Sequence, residues 1–262
     1  MYVIAVANEK GGVAKTTTVV NLGAALVAQN LKVLVIDLDA QGSLGLSLGI
    51  EPAKAPFSSS DVLLKNSPNF QCIGNVAGIK GLDLVPASRD MLLVEKFIPM
   101  QPDGEFIICN ALMQYHTDYD IVLMDCPPSP GMINQNALIA ADLVIIPTLP
   151  EFLSVSCLRN LMVVIRQVKI QYNPYLQYRL LFTLYDRRNR IHPMFSEQAS
   201  NAFKGSVLET KIEIDTKIRE SSVRGLPVLK TSPNTRASLQ YQNLAQEILP
   251  YVEIQKGHTQ SH

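Results

Sequence analysis

Two lysines, two glycines and three threonines crowd one short stretch, KGGVAKTTT at residues 10–18. Lys15 and Thr16 satisfy the end of the phosphate-loop pattern G-x-x-x-x-G-K-[ST]. The pattern's two glycine positions are held by Glu9 and Ala14. The glycines stand instead at Gly11 and Gly12, directly after a second lysine, Lys10. A strand-like run, YVIAVAN (2–8), leads into this turn, and a helical pattern leaves it at Lys15-Thr16-Thr17. Backbone N–H groups at such a helix start face an anion, and the helix dipole favours negative charge there. Lys15 suits the β- and γ-phosphates of a nucleotide, and the Thr16 hydroxyl suits Mg²⁺.

Two further stretches end in acid. KVLVIDLDAQG closes a strand pattern with Asp37-x-Asp39, and DIVLMDCPPS closes another with Asp125, followed by Pro127-Pro128. Ligands of open α/β sheets bind at the carboxyl ends of strands, so all three stretches converge on one crevice. A carboxylate capping a turn would explain any one of these acids alone. The three together point to a nucleotide and its metal ion.

The elements needed to hold that crevice are legible. Nearly continuous apolar runs at 2–8, 32–39, 82–87, 120–125, 142–148 and 178–184 read as strands buried on both faces of a parallel sheet. Helical patterns fall near 16–29, 88–98, 104–115, 131–140, 154–171 and 235–249, the last after the capping stretch SPNT. The alternation predicts a doubly wound, mostly parallel sheet with helices on both faces, as one domain over residues 1–262. EPAKAPFSSSD (51–61) reads as a surface loop, and residues 251–262 as a frayed tail.

The chain of 262 residues is 47% hydrophobic, ample for a large core. No segment reaches the run of roughly 18 apolar residues that a membrane span needs. The apolar start reads as a first strand, not as a secretory leader. Cys72, Cys109, Cys126 and Cys157 lie far apart and read as free thiols in a reducing cytosol. The zero net charge hides a split: residues 1–158 hold 8 Lys+Arg and 15 Asp+Glu, whereas 159–236 hold 14 and 6. An anionic partner for the later part is one reading of that split, and a scattered solvated surface is the other.

KGGVAKTT, VIDLDAQG and VLMDCPPS resemble the deviant Walker A, Walker A′ and Walker B motifs of ParA-type partition ATPases, in the wider ParA/MinD family. The likeness continues through LVIIPTLPEFLSVSCL and GLPVLKTSPNTRASLQYQNLAQEI, so it spans nearly the whole chain. Ala14 and Ala40 depart from the glycine and proline usual in the family. At a helix start, Ala14 is expected to take a negative φ at little cost.

The resemblance implies a fold, a P-loop NTPase of the deviant Walker A type, and roles. Lys15 and the loop N–H groups of Gly11, Gly12, Val13 and Ala14 would hold the phosphates of ATP, and Thr17 the α-phosphate. Thr16 and Asp125 would hold Mg²⁺. Asp39, beside the metal, would position the attacking water with Asp37 in support. Asp215, in IEIDTKIRE, would contact the adenine. Lys10, the signature lysine, would cross a two-fold interface to phosphates on a second copy, as an arginine finger does, so that ATP sandwiches a homodimer.

The family also implies non-specific binding of double-stranded DNA, for which Lys211, Lys217, Arg219, Arg224, Lys230 and Arg236 are the candidates. It implies a cytoplasmic, nucleoid-associated ATPase, slow until a ParB-like or cargo-adaptor protein stimulates it. A short member without a helix-turn-helix extension is expected. The tail YVEIQKGHTQSH lacks the basic amphipathic helix of the membrane-bound MinD relatives, so no membrane role is expected. A MinD-like positioning ATPase and a nucleotide-dependent scaffold with little turnover remain the alternatives.

Overall fold

The computed structural model describes residues 1–65, 71–114 and 119–259. Its centre is a sheet of seven strands: β1 (Tyr2–Val6), β2 (Val33–Asp37), β3 (Leu82–Val85), β4 (Ile121–Asp125), β5 (Leu143–Thr148), β6 (Gln177–Tyr185) and β7 (Val207–Glu213). Their order is β3-β2-β4-β1-β5-β6-β7, and every pairing is parallel. The carboxyl ends of all seven strands therefore open on one edge; the apolar runs predict the first six of them.

Helices cover both faces. On one side lie α1 (Lys15–Val27), α2 (Ser43–Ser47), α9 (Thr216–Val223), α10 (Val228–Thr231) and α11 (Arg236–Thr259). On the other lie α3 (Ser59–Lys65), α4 (Met91–Phe97), α5 (Ile107–Gln114), α6 (Met132–Ala140) and α7 (Phe152–Gln171). α8 (Ile191–Ala202) joins β6 to β7. Strand alternation divides the core: Val3 and Ala5 of β1 pack on the second side, while Tyr2, Ile4 and Val6 pack on the first. Val3, Ile4 and Val6 each contribute about 1.5–3 kcal/mol by leaving water.

The structure adds elements that the sequence patterns do not announce. β7, VLETKIE, is the sheet edge, and its polar residues alternate with apolar ones instead of forming a solid apolar run. α8 and α9 bury few side chains and so carry a weak periodic signal. The expected loop at 51–61 contains a 3₁₀ turn at Pro52–Lys54 and the start of α3 at Ser59.

Residues 251–259, expected as part of a frayed tail, are helical in the structure: α11 continues through Pro250 to Thr259. Tyr251 anchors it: the Arg179 guanidinium lies 4.6 Å from the ring centroid, and Arg179 Nε donates to its hydroxyl at 2.9 Å. Val252 beside it is buried. Residues 260–262 fall outside the described part. Cys72, Cys109 and Cys126 are free thiols, as expected, and the Cys157 side chain lies outside the described residues.

Candidate nucleotide and magnesium site

The loop between β1 and α1 is tied to the sheet at both ends. Asn8 is buried; its Oδ1 accepts from the Lys10 N–H at 2.9 Å, and its Nδ2 donates to the Pro147 carbonyl at 2.8 Å. The Val13 carbonyl accepts from Thr183 Oγ1 of β6 at 2.9 Å. Gly12 takes φ +74°, a left-handed conformation that glycine adopts freely. A Cβ on Gly11 or Gly12 would meet no atom within 4 Å, so this rim of the loop stands open.

Lys15 is buried beneath the rim. Its Nζ donates to the carbonyls of Asn8 (3.0 Å) and Lys10 (3.1 Å), which spans the loop from inside. Burial pushes its pKa down, and the nearby carboxylates, Asp125 first and then Asp39, oppose that shift. Thr16 and Thr17 follow in the first turn of α1, both half-buried.

Ala14 corrects the sequence reading. It takes φ +65° and ψ 35°, the left-handed region, not the negative φ expected at a helix start. Its carbonyl accepts from both the N–H (2.9 Å) and Oγ1 (2.7 Å) of Thr18, so the first turn of α1 is built on it. A Cβ in that conformation costs roughly 1–2 kcal/mol. The loop therefore keeps a glycine geometry without the glycine.

Asp37 and Asp125 are neighbours across the β2–β4 ladder, at the ends of their strands. Asp37 is fully buried and accepts backbone N–H bonds from Asp39 (3.0 Å) and Leu44 (3.1 Å). Burial and then the Asp125 charge push its pKa well up, against the hydrogen bond from the Asp39 N–H. Its role is to fold the turn that presents Asp39. Asp39 is half-buried, and its Oδ1 accepts the Gln41 N–H at 3.0 Å.

Asp125 Oδ2 accepts a 2.6 Å hydrogen bond from Thr16 Oγ1, while its buried Oδ1 has no partner. Burial pushes this carboxyl up to about 7; the Thr16 bond and then Lys15 lower it, and Asp39 raises it. An unpartnered buried carboxylate oxygen beside a threonine hydroxyl fits a hard cation. No cluster of three or more His, Cys, Asp or Glu side chains suited to a metal occurs among the described residues. That donor set suits Mg²⁺, which takes one or two protein oxygens and completes its shell with water and phosphate.

Lys10 lies outside this cage, on the loop's surface, with Nζ 3.2 Å from Glu151 Oε2 at the start of α7. Asp215 caps α9, accepting the Lys217 N–H at 2.9 Å, with Arg236 at 3.8 Å. It lines a cavity of about 490 Å³ with Tyr185, Asp186, Arg187, Glu213 and Arg236 at the carboxyl ends of β6 and β7. The residues that end and follow β6, YDRRN (185–189), escaped the sequence reading. The strand-end rule applied to Asp37 and Asp125 would have found them.

The six DNA candidates fall into distinct settings. Lys211 is half-buried, its Nζ 4.8 Å from the Tyr185 ring centroid, and burial and Arg187 lower its pKa. Arg236 pairs with the buried Glu213 at 3.0 Å and Lys217 with Glu220 at 2.7 Å. Lys230 Nζ bonds to the carbonyls of Ala77 and Gly78. Arg219 and Arg224 are exposed, with no ion pair among the described residues. The sequence stretch thus separates into cations spent on the fold and cations left to solvent.

These features define a P-loop ATPase. A family model described as an AAA domain matches residues 1–178. The chain is 34% identical to the chromosome partitioning protein ParA of Caulobacter vibrioides, over 95% of this chain and 94% of that one. It is 32% identical to the sporulation initiation inhibitor protein Soj of Bacillus subtilis, covering 94% and 97% respectively. A crystal structure described as cobyrinic acid a,c-diamide synthase of Mycobacterium smegmatis, with bound ADP and magnesium, superposes with a TM-score of 0.84. It shares 32% identity and covers 97% of this chain and 96% of its own. The protein belongs to the ParA family of P-loop ATPases.

Proposed function

We propose that the protein is an ATP-dependent partition or positioning ATPase. In this reading Mg²⁺-ATP drives its dimerisation, and the dimer binds duplex DNA without sequence preference. A partner protein then stimulates hydrolysis and releases it. The carrying observation is the convergence at one sheet edge of the open Gly11–Gly12 rim, the buried Lys15 ammonium and the unpartnered Asp125 Oδ1. The names ParA and Soj borne by relatives over nearly the full chain support the cellular role.

The roles follow from chemistry. The loop N–H groups from Gly11 to Ala14 and the Lys15 ammonium hold the β- and γ-phosphates, and Thr17 reaches the α-phosphate. Thr16 and Asp125 hold Mg²⁺. Asp39 orients water against the γ-phosphate. The cavity beside Asp215 takes the adenine. Lys10, placed outside its own cage, neutralises phosphate charge on a second copy.

The test is turnover with and without DNA, together with light scattering in ATP, ADP and no nucleotide. A dimer confined to ATP, and DNA-dependent behaviour of that dimer, are expected. Turnover that requires a small-molecule acceptor, or a dimer equally strong in ADP, would overturn the reading. No helix among the described residues is long and apolar enough to cross a membrane. The association expected is with the nucleoid.

A further inference from the structure

Asn21 is buried in the second turn of α1, where its buried neighbours Val19, Val20 and Leu22 are aliphatic. Asparagine is a poor helix former, so propensity does not account for it there. Both ends of its amide are used. Nδ2 donates to the Thr17 carbonyl at 2.8 Å, and Oδ1 accepts the Val228 N–H at 2.8 Å. Val228 opens α10, whose capping residue Pro227 supplies no side-chain hydrogen bond. Asn21 therefore satisfies an orphan N–H of α10 across 207 positions while it holds the turn that carries Thr16 and Thr17. An amide can donate and accept at once, which no aliphatic side chain can do.

A second contact grips the same segment. Gly225 and Gly49 take φ +65° and +76°, and a Cβ on Gly225 would lie 2.6 Å from Gly49 Cα and 2.8 Å from Gly49 N. Two backbones meet there with no side chain between them. Gly49 follows α2, its N–H bonded to the Leu46 carbonyl at 3.1 Å. The start of α2 is fixed in turn by Asp37, whose Oδ2 accepts the Leu44 N–H.

Residues 224–228 are thus touched by both halves of the candidate nucleotide site, by α1 through Asn21 and by the Asp37 turn through Gly49. The segment includes the exposed Arg224 and lies between α9, which carries the exposed Arg219, and α10, which carries Lys230.

We propose that Asn21 is a positioning residue that holds the 224–231 segment in register with the phosphate-loop helix, so that Mg²⁺-ATP in the loop tightens that segment. Phosphates bound at the start of α1 order the turn that includes the Thr17 carbonyl, and Asn21 carries that order to Val228. The Gly49–Gly225 contact carries the matching change from the Asp39 turn. The inference rests on the nucleotide-binding reading above, and DNA binding is its consequence: Arg219 and Arg224 are presented in one arrangement only when the loop is filled.

Hydrogen–deuterium exchange of the full chain, with and without Mg²⁺-ATP, reads the segment without any DNA. Mg²⁺-ATP is expected to slow exchange over 224–231 by about tenfold, a modest coupling between sites. Asn21→Ser keeps a hydroxyl for the Thr17 carbonyl but does not reach Val228. It should bind ATP normally by calorimetry and still slow exchange over 10–18, yet lose the ATP-dependent slowing over 224–231. A role in packing alone would speed exchange there equally in both states and leave the difference intact. Gly225→Ala, whose Cβ meets the Gly49 backbone, should shrink the same difference without altering α1. The comparisons are made at equal dimer content, measured by light scattering. An unaltered protein whose 224–231 segment ignores Mg²⁺-ATP, or an Asn21→Ser variant with the full difference, would overturn the proposal. In filter binding, Asn21→Ser should weaken DNA binding of the ATP form with an unchanged salt slope, because no phosphate contact is removed. Absence of DNA binding by the unaltered protein would instead overturn the partition reading, while exchange still decides the role of Asn21.

Discussion

Thr16 Oγ1 and Asp125 Oδ2 lie 2.6 Å apart, a short hydrogen bond that joins the first turn of α1 to the end of β4. It brings together two residues separated by more than 100 positions and turns the free Oδ1 into a cation ligand in waiting. Its proton balance is testable. The buried Asp125 carboxyl has its pKa raised to about 7, above the usual carboxylate range, chiefly by desolvation. Between the two pKa values the folded protein binds more protons than the unfolded chain, so stability of the metal-free protein should fall as pH rises towards 7. Mg²⁺-ATP competes with that proton, so its stabilising effect should grow over the same interval. Thermal melts from pH 5 to 8, with and without Mg²⁺-ATP, read both slopes. A metal-free melting temperature that climbs with pH there would contradict the assignment.

Lys10 and Lys15 should separate by experiment. Lys15→Ala removes the ammonium that spans the loop and should abolish ATP binding, as measured by calorimetry. Lys10→Ala should retain ATP binding by the monomer and lose the ATP-dependent dimer in light scattering. Because Lys10 sits 3.2 Å from Glu151, Glu151→Gln should remove the charge of that ion pair and lower the protein concentration at which the dimer appears. The pair is partly exposed, so that gain is small, within about 1 kcal/mol.

Asp39→Ala should bind ATP and dimerise yet turn over at least about 100-fold more slowly, the scale of a positioned acid–base group. Single-turnover phosphate release gives the number. Wild-type turnover in this variant would transfer the water-positioning role elsewhere.

Ala14→Gly is expected to stabilise the protein. The native φ of +65° strains alanine but not glycine, and release of that strain should contribute about 1 kcal/mol after the extra chain entropy of glycine is subtracted. Urea denaturation would show a higher midpoint at unchanged slope. A lower midpoint would mean that the loop relaxes in solution to a geometry that suits alanine.

DNA binding should depend most on the cations that the fold does not use. Arg219→Ala and Arg224→Ala should each weaken binding of the ATP form to all sequences alike. Each should also reduce the slope of log K against log salt by roughly one. Arg236→Ala should instead lower stability, because it strips a partner from the buried Glu213. Filter binding across a salt series separates the two classes, and identical effects from all three substitutions would dissolve the distinction.

The parallel sheet and the crevice can be read from local patterns in the sequence. Strands buried on both faces must be almost wholly apolar, and a phosphate loop must place Lys15 and Thr16 at a helix start, so these features are written locally. The acids at Asp37, Asp39 and Asp125 were legible because they interrupt apolar runs at strand ends. Tertiary structure decided the rest. The edge strand β7 and helices α8 and α9 bury too little to leave a periodic signal, and the continuation of α11 depends on Arg179, 72 residues away from Tyr251. The left-handed turn at Ala14 is imposed by a carbonyl that must start α1, against the residue's own preference. Whether a cation of residues 211–236 faces solvent or a buried Glu213 depends on which strands and helices meet. Charge counted along the chain carries no such information, because ion pairs form between positions that only folding brings together.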